Sequence, residues 1–389
     1  MLWSSGRFWY VPTDLNFTDA LLLELPSIRR WPMNLWREFK LQRLLDRYVS
    51  PPLSRIFWKF QLAQDEFPGI IGLEVTSICN LKCPMCPRTF SPRKFGHMPL
   101  SMFQRLIDEI AEYDDRWMVE QVALNEYGEI FLHPNWFEMM EYTVEKIKKA
   151  QIRLDTNGTM MRAPVIDKLF QSRLPSLIIS VDGVDEETYD LLRAGGKFHE
   201  VVENVKQFIE RRRKEPDCGP TAYVQIIESD YTRRYLPQFK AFWEKQIKDA
   251  PRINLLVTPF HDFAGQITNR QFEKIHKPGL YINLPCYRLT YEVDIFSDGV
   301  TSVCCMDSER QIVIGNAKEQ SIWEMWHGPE LHRYRESMKS AEYAALSLCH
   351  TCPHSQKFLV NYGTKAGFNR VVSRLKQTGE RYLRGRFFQ

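Results

Sequence analysis

The 389-residue chain has no run of about 18 uninterrupted apolar residues, so it carries no obvious membrane-spanning helix. Its opening, MLWSSGRFWYVPTD, lacks the apolar core and small-residue cleavage site of a secretory signal. It also lacks a strong charge of either sign: 52 Lys and Arg against 48 Asp and Glu leave +4. With no recognisable nucleic-acid module beside that small excess, a nucleic-acid partner is not expected. Disorder is excluded by a composition of 44% hydrophobic and 26% charged residues. Nine cysteines in a chain without an export signal are expected to be reduced and to bind metal, not to form disulfides. The expected location is the cytoplasm. The length calls for more than one domain, because single cores stop growing at about 250–300 residues.

Three of those cysteines, Cys79, Cys83 and Cys86, form C-x3-C-x2-C in GLEVTSICNLKCPMCPRTF, directly after a run that reads as a β-strand. No His or further Cys lies near them. Iron-sulfur clusters normally take four thiolates, so three on one loop leave one iron with a position open to a small molecule. Zinc is the lesser fit, since it usually takes paired C-x2-C or Cys/His sets.

This segment resembles the cluster-binding loop of the radical S-adenosylmethionine (SAM) superfamily, and three further motifs follow in that family's order. Tyr127-Gly128-Glu129, after VEQVALNE, stands where the family has Gly-Gly-Glu, with Tyr in place of the first Gly. Leu154-Asp155-Thr156-Asn157-Gly158 and Ile179-Ser180-Val181-Asp182-Gly183 resemble the ends of the third and fourth barrel strands. The resemblance implies SAM binding by Gly128, Glu129, Thr156, Asn157, Ser180 and Arg193. Each motif alone is a common turn; their order behind the cysteine trio makes them informative.

The middle of the chain alternates apolar runs with amphipathic stretches, a βα repeat with a parallel sheet. Candidate strands are IGLEVT, VEQVALNE, QIRLDT, LIISVD, AYVQIIE and INLLVT. Candidate helices are SMFQRLIDEIAEY, NWFEMMEYTVEKIKKA, APVIDKLFQS, HEVVENVKQFIERRRK and PQFKAFWEKQI. Functional groups are expected at the C-terminal strand ends.

A second cysteine set comprises Cys286, Cys304, Cys305, Cys349 and Cys352, with a β-hairpin expected around Ser297-Asp298-Gly299. An amphipathic helical stretch, GNAKEQSIWEMWHGPELHRYRESM, precedes the C-x2-C of LCHTCP. This part resembles the shorter form of the SPASM or twitch domain. The resemblance assigns Cys286, Cys304, Cys349 and Cys352 to one auxiliary 4Fe-4S cluster, with Cys305 as the alternative to Cys304. Four thiolates suit zinc as well, and that alternative stays open. The expected fold is α/β: a partial (β/α)6 radical SAM barrel at 68–265, followed by a small α+β SPASM/twitch-like domain at 280–356. A basic amphipathic extension at 1–67 and a basic tail at 357–389 flank them.

The resemblance implies an enzyme with a SAM-binding 4Fe-4S cluster, a second auxiliary 4Fe-4S cluster, and SAM cleaved reductively to a 5'-deoxyadenosyl radical that abstracts hydrogen. An external one-electron donor of flavodoxin or ferredoxin type and a small polar molecule or peptide substrate follow from it. A fully ligated auxiliary cluster favours electron acceptance, hence dehydrogenation or peptide maturation. The alternatives are a redox-neutral epimerase on a sugar, cyclitol or lipid-linked substrate, using Cys305 or Cys218 as hydrogen donor, and a non-catalytic metal-binding protein. No catalytic residue is assigned, although His97, His133, Gln225 and Glu228 fall near the expected cavity, and His350 and His354 flank Cys352. Basic, aromatic-rich stretches at 28–60 and from 365 onward suit either packing on the barrel or a peripheral place at the inner face of a membrane.

Overall fold

A computed structural model describes residues 66–267, 286–340, 346, 348, 349 and 352, with the backbone alone at 280–283, 287 and 357–360. The basic stretches at 28–60 and from 365 onward, His350 and His354 lie outside the described residues.

Strands and helices alternate as β1 (Ile70–Leu73), α1 (Leu100–Asp114), β2 (Gln121–Ala123), α2 (Trp136–Lys146), β3 (Gln151–Thr156), α3 (Ala163–Gln171) and β4 (Ser176–Ser180). They continue as α4 (Glu186–Leu192), α5 (Phe198–Lys214), β5 (Thr221–Glu228), α6 (Leu236–Ile247) and β6 (Ile253–Pro259). β1 to β6 lie side by side in chain order and all parallel. Beyond them come β7 (Leu280–Asn283), β8 (Glu292–Ile295), β9 (Val300–Ser302), β10 (Val313–Asn316), α7 (Ile322–Trp326), α8 (Pro329–Lys339) and β11 (Lys357–Val360).

All six expected barrel strands form, and alternation along them sets the chemistry of the two sheet faces. Ile71, Leu73, Ile152, Leu154, Leu177 and Ile179 are buried on the face covered by helices. Full burial of each such side chain contributes about 1.5–3 kcal/mol. The residues between them, Gly72, Arg153, Asp155, Ser180 and Gln225, point to the other face. In the loop after β1, Glu74 continues that inner row.

Three departures from the sequence reading have physical causes. First, β8 runs parallel to β1, with Ile70 opposite Glu292 and Gly72 opposite Asp294, and β9 and β10 follow antiparallel. The sheet therefore has nine described strands and crosses the boundary expected between 265 and 280. This pairing satisfies backbone groups on β1 that would otherwise form an open edge. Second, the helical stretch read between the hairpin and the last cysteines is the end of β10 plus two helices. Pro329, the first residue of α8, cannot continue the preceding helix, and a Ser321/Glu324 capping box starts α7. Third, α2 stops at Lys146, because the buried Asp114 carboxylate accepts the N–H groups of Lys148, Lys149 and Ala150 at 2.7–2.9 Å. α4, not foreseen from periodicity, starts on an Asp185/Thr188 capping box.

Among the described residues no helix is long and apolar enough to cross a membrane.

Candidate active site

A cavity of about 160 Å³ opens at the C-terminal ends of β1 to β4, lined by Cys79, Cys83, Cys86, Gly128, Glu129, Thr156, Asn157, Ser180 and Arg193 among others. Eight residues from four separate sequence motifs, with Arg193, thus line one cavity.

The cysteine loop is held by its own backbone. Cys86 N–H donates to the Cys83 carbonyl at 3.0 Å, and Thr89 Oγ1 donates to the same oxygen at 2.8 Å. Two N–H groups approach the Cys79 sulfur, from Leu81 at 3.5 Å and the Asn157 amide at 3.7 Å. Burial raises all three thiols, Cys86 to about 12. Ligation must therefore displace protons, and a metal group is what makes that favourable. All three cysteines line the cavity. A ring of thiolates around a space fits a polynuclear cluster.

Gly128 lies so close to the cysteine loop that a Cβ there would fall on the Thr76 carbonyl oxygen. Glu129 N–H donates to the Ile78 carbonyl at 2.9 Å, which ties this turn to the loop. The Glu129 carboxylate accepts from Thr156 Oγ1 at 2.8 Å, Asn157 N–H at 2.7 Å and Phe131 N–H at 3.3 Å. Burial nonetheless raises Glu129 to about 7. A carboxylate offers about four lone-pair sites, so one acceptor position is left for an ammonium such as the amino group of SAM. Arg193 is anchored by the Asp182 carboxylate through Nε and Nη2, and its Nη1 points toward Cys83 Sγ at 4.0 Å. The chain fits the amino-acid end of SAM.

Asn125, Glu126, Tyr127 and Asp155 also line the cavity and were not singled out as ligands from the sequence. Their place at strand ends was the available signal; the polar character of the inner barrel face was the missing one. Tyr127, the departure from Gly-Gly-Glu, is buried, stacks on Phe296 at a centroid distance of 6.2 Å and donates its hydroxyl to the Cys305 carbonyl. Its ring thus bridges the cavity and the second cysteine set.

In that set, Cys286, Cys304, Cys349 and Cys352 line a second, largely apolar cavity, whereas Cys305 does not. Cys305 Sγ instead accepts from Arg288 at 3.0 Å. Burial raises Cys286 to about 11 and lifts Cys304 and Cys349 further.

Other sequence candidates lie elsewhere. Cys218 is exposed in the turn before β5, at the opposite end of the strands from the cavity, so it cannot reach a substrate there. His133 uses both ring nitrogens, toward the Met98 carbonyl at 3.1 Å and the Asn135 N–H at 3.0 Å, and packs against His97. Glu228 pairs with Arg233, and neither it nor Gln225 lines the cavity.

Comparison with known proteins follows the same division. Residues 73–226 match the Radical SAM superfamily, and residues 286–353 match SPASM, an iron-sulfur cluster-binding domain. The chain is 24% identical over 313 residues to the tungsten-containing aldehyde ferredoxin oxidoreductase cofactor-modifying protein of Pyrococcus furiosus, spanning 71% of this chain and 86% of that protein. It is 32% identical over 146 residues to the subtilosin biosynthesis protein AlbA of Bacillus subtilis, 36% of this chain and 31% of AlbA. Among solved structures, BtrN in complex with AdoMet and 2-DOIA matches with a TM-score of 0.50 at 18% identity, over 75% of this chain and 98% of that one.

Proposed function

We propose that this chain, which belongs to the radical SAM superfamily and carries a C-terminal SPASM-type iron-sulfur domain, is an oxidoreductase that removes hydrogen from a small polar or peptide substrate. Membership brings a 4Fe-4S cluster, SAM and an auxiliary iron-sulfur cluster as cofactors. In this reading Cys79, Cys83 and Cys86 hold the first cluster, and Cys286, Cys304, Cys349 and Cys352 hold the second. When bound, the cluster and SAM supply one-electron chemistry that ends in hydrogen abstraction from a substrate carbon.

The chain's own residues orient and shield that chemistry. Glu129 and Arg193 would hold the amino and carboxylate groups of SAM, Asn157 steadies both Glu129 and the Cys79 sulfur, and Gly128 allows the close approach. Tyr127, Phe296 and the hairpin that joins β1 form the wall toward the second site and keep water from it.

One observation carries the oxidative reading: four cysteines from distant segments line one apolar cavity next to the SAM site, which supports a fully ligated cluster with no position left for substrate. Such a group is suited to accept an electron. The epimerase alternative, with Cys305 or Cys218 as hydrogen donor, is less favoured by the geometry, since Cys218 is remote from the cavity and Cys305 is engaged by Arg288.

The test is anaerobic reconstitution with iron and sulfide, followed by 5'-deoxyadenosine formation from SAM under a strong reductant. About eight irons per chain are expected, about four in the Cys286→Ala/Cys304→Ala variant, and no cleavage in Cys83→Ala. Zinc in place of four of the irons would make the second site structural and end the electron-acceptor reading.

A further inference from the structure

The inner barrel face carries more carboxylates than cations. Glu74 pairs with Arg93, Asp155 with Arg153 and Glu292 with Arg288. Glu126 and Asp294 have no such partner: among the described residues neither forms an ion pair with a Lys or Arg. They meet each other instead. A Cβ on Gly72 would fall on both the Glu126 Oε1 and the Asp294 Oδ1 positions, so the glycine makes the room in which the two carboxyl groups converge. The parallel β1–β8 register sets Asp294 directly beside Gly72, while Glu126 arrives from the loop after β2 and faces the cavity. Asp294 is 2% exposed, and its Oδ2 has no hydrogen-bond partner.

Two convergent carboxyls without a paired cation, Asp294 buried and Glu126 half-buried, are a costly arrangement when both are ionised, and Glu126 forms part of the wall of the cavity that the cofactor reading assigns to chemistry. We propose that Glu126, backed by Asp294, is the substrate's cation seat, and that the substrate therefore carries a primary ammonium group. This rests on the reading of the cavity as a SAM and substrate site, and it names the substrate class that the reading leaves open.

The surroundings agree. Glu126 is faced by Asp294 and Glu292 from β8, Glu74 from the loop after β1, and Arg153 from β3; burial raises it to about 8. Asp294, faced by Glu126, Glu292 and Arg288, is also raised by burial. Burial thus favours the protonated form of both groups, and an arriving ammonium would favour the ionised form and release a proton. Salt-like N–H to carboxylate bonds of this kind are the stronger class, and Arg153 on the far side is spoken for by Asp155.

The test is calorimetric binding to reconstituted protein loaded with SAM, in two buffers of different ionisation heat. The probes are glucosamine against N-acetylglucosamine, and Nα-acetyl-lysine amide against its Nε-acetylated form. One ammonium probe is expected to bind about tenfold or more tightly than its acetylated partner, with about one proton released. The sugar arm and the lysine arm then separate a small-molecule source from a peptide one. Glu126→Gln and Asp294→Asn, checked for iron content and melting temperature, should lose the preference. Equal binding of charged and acetylated probes, an unchanged preference in both variants, or no binding of either ammonium overturns the proposal; the wild-type comparison stands even where a variant misfolds. SAM cleavage by the same wild-type preparation separates the two levels: cleavage without ammonium preference removes the cation seat alone, and no cleavage removes the reading beneath it.

Discussion

Gly128 and Glu126 show how much of this site depends on single atoms. At Gly128 the obstacle is backbone, with the Thr76 and Ile78 carbonyl oxygens both in the path of a Cβ, so neither can rotate away. Gly128→Ala is expected to cost about 3 kcal/mol of stability and to lower iron retention; a variant that melts like wild type with a full cluster would refute the close-approach argument. Glu126 makes a prediction about pH. Its pKa rises from 4.5 unfolded to about 8 folded, so between those values the native state binds more protons than the unfolded one. Stability without cofactors should accordingly be greatest at the acid end and fall as pH rises through about 4.5 to 8. Urea titrations across that window should show a shallower fall in Glu126→Gln, and an equal fall would place the effect elsewhere.

At the scale of elements, the turn between α2 and β3 is organised by a residue distant in sequence. Asp114, at the end of α1, takes three consecutive N–H groups there and fixes where β3 begins, hence where Asp155, Thr156 and Asn157 reach the cavity. Asp114→Ala would leave three backbone donors without this acceptor, the one on Ala150 buried. We expect a loss of about 3 kcal/mol, read as a lower urea midpoint at unchanged slope, together with weaker SAM binding. A loss confined to stability would show that the β3 end is positioned without this turn.

Across the whole molecule, Cys79, Cys83 and Cys86 follow β1 and Cys304 follows β9 of the same sheet. The β8–β9 hairpin covers the edge of β1, brings Ser297 N–H and Oγ to the Glu74 carboxylate at 3.0 and 3.1 Å, and gives Tyr127 its acceptor on Cys305. Truncation after residue 265 would therefore expose a strand edge and strip Glu74 of these partners. The truncated chain is expected to aggregate and to fail to hold even the first cluster; a soluble truncation with about four irons would show that the barrel stands alone.

The six barrel strands, the helices between them other than α4, and the strand-end motifs were legible in the sequence because their signals are local: alternation, helical periodicity, turn residues and cysteine spacing. The family was legible for the same reason, since Cys79, Cys83 and Cys86 sit on one loop. What only the tertiary structure decided depends on residues far apart in the chain. Nothing local to YEVDIF says that it will lie parallel to β1, nothing in SVCC says which neighbour faces Cys286, and nothing around NEYGE or EVDI says that Glu126 and Asp294 meet over a glycine. A pattern read along the chain records which face of an element is apolar; which polar groups converge within the barrel is set by strand register and by the space a missing Cβ leaves.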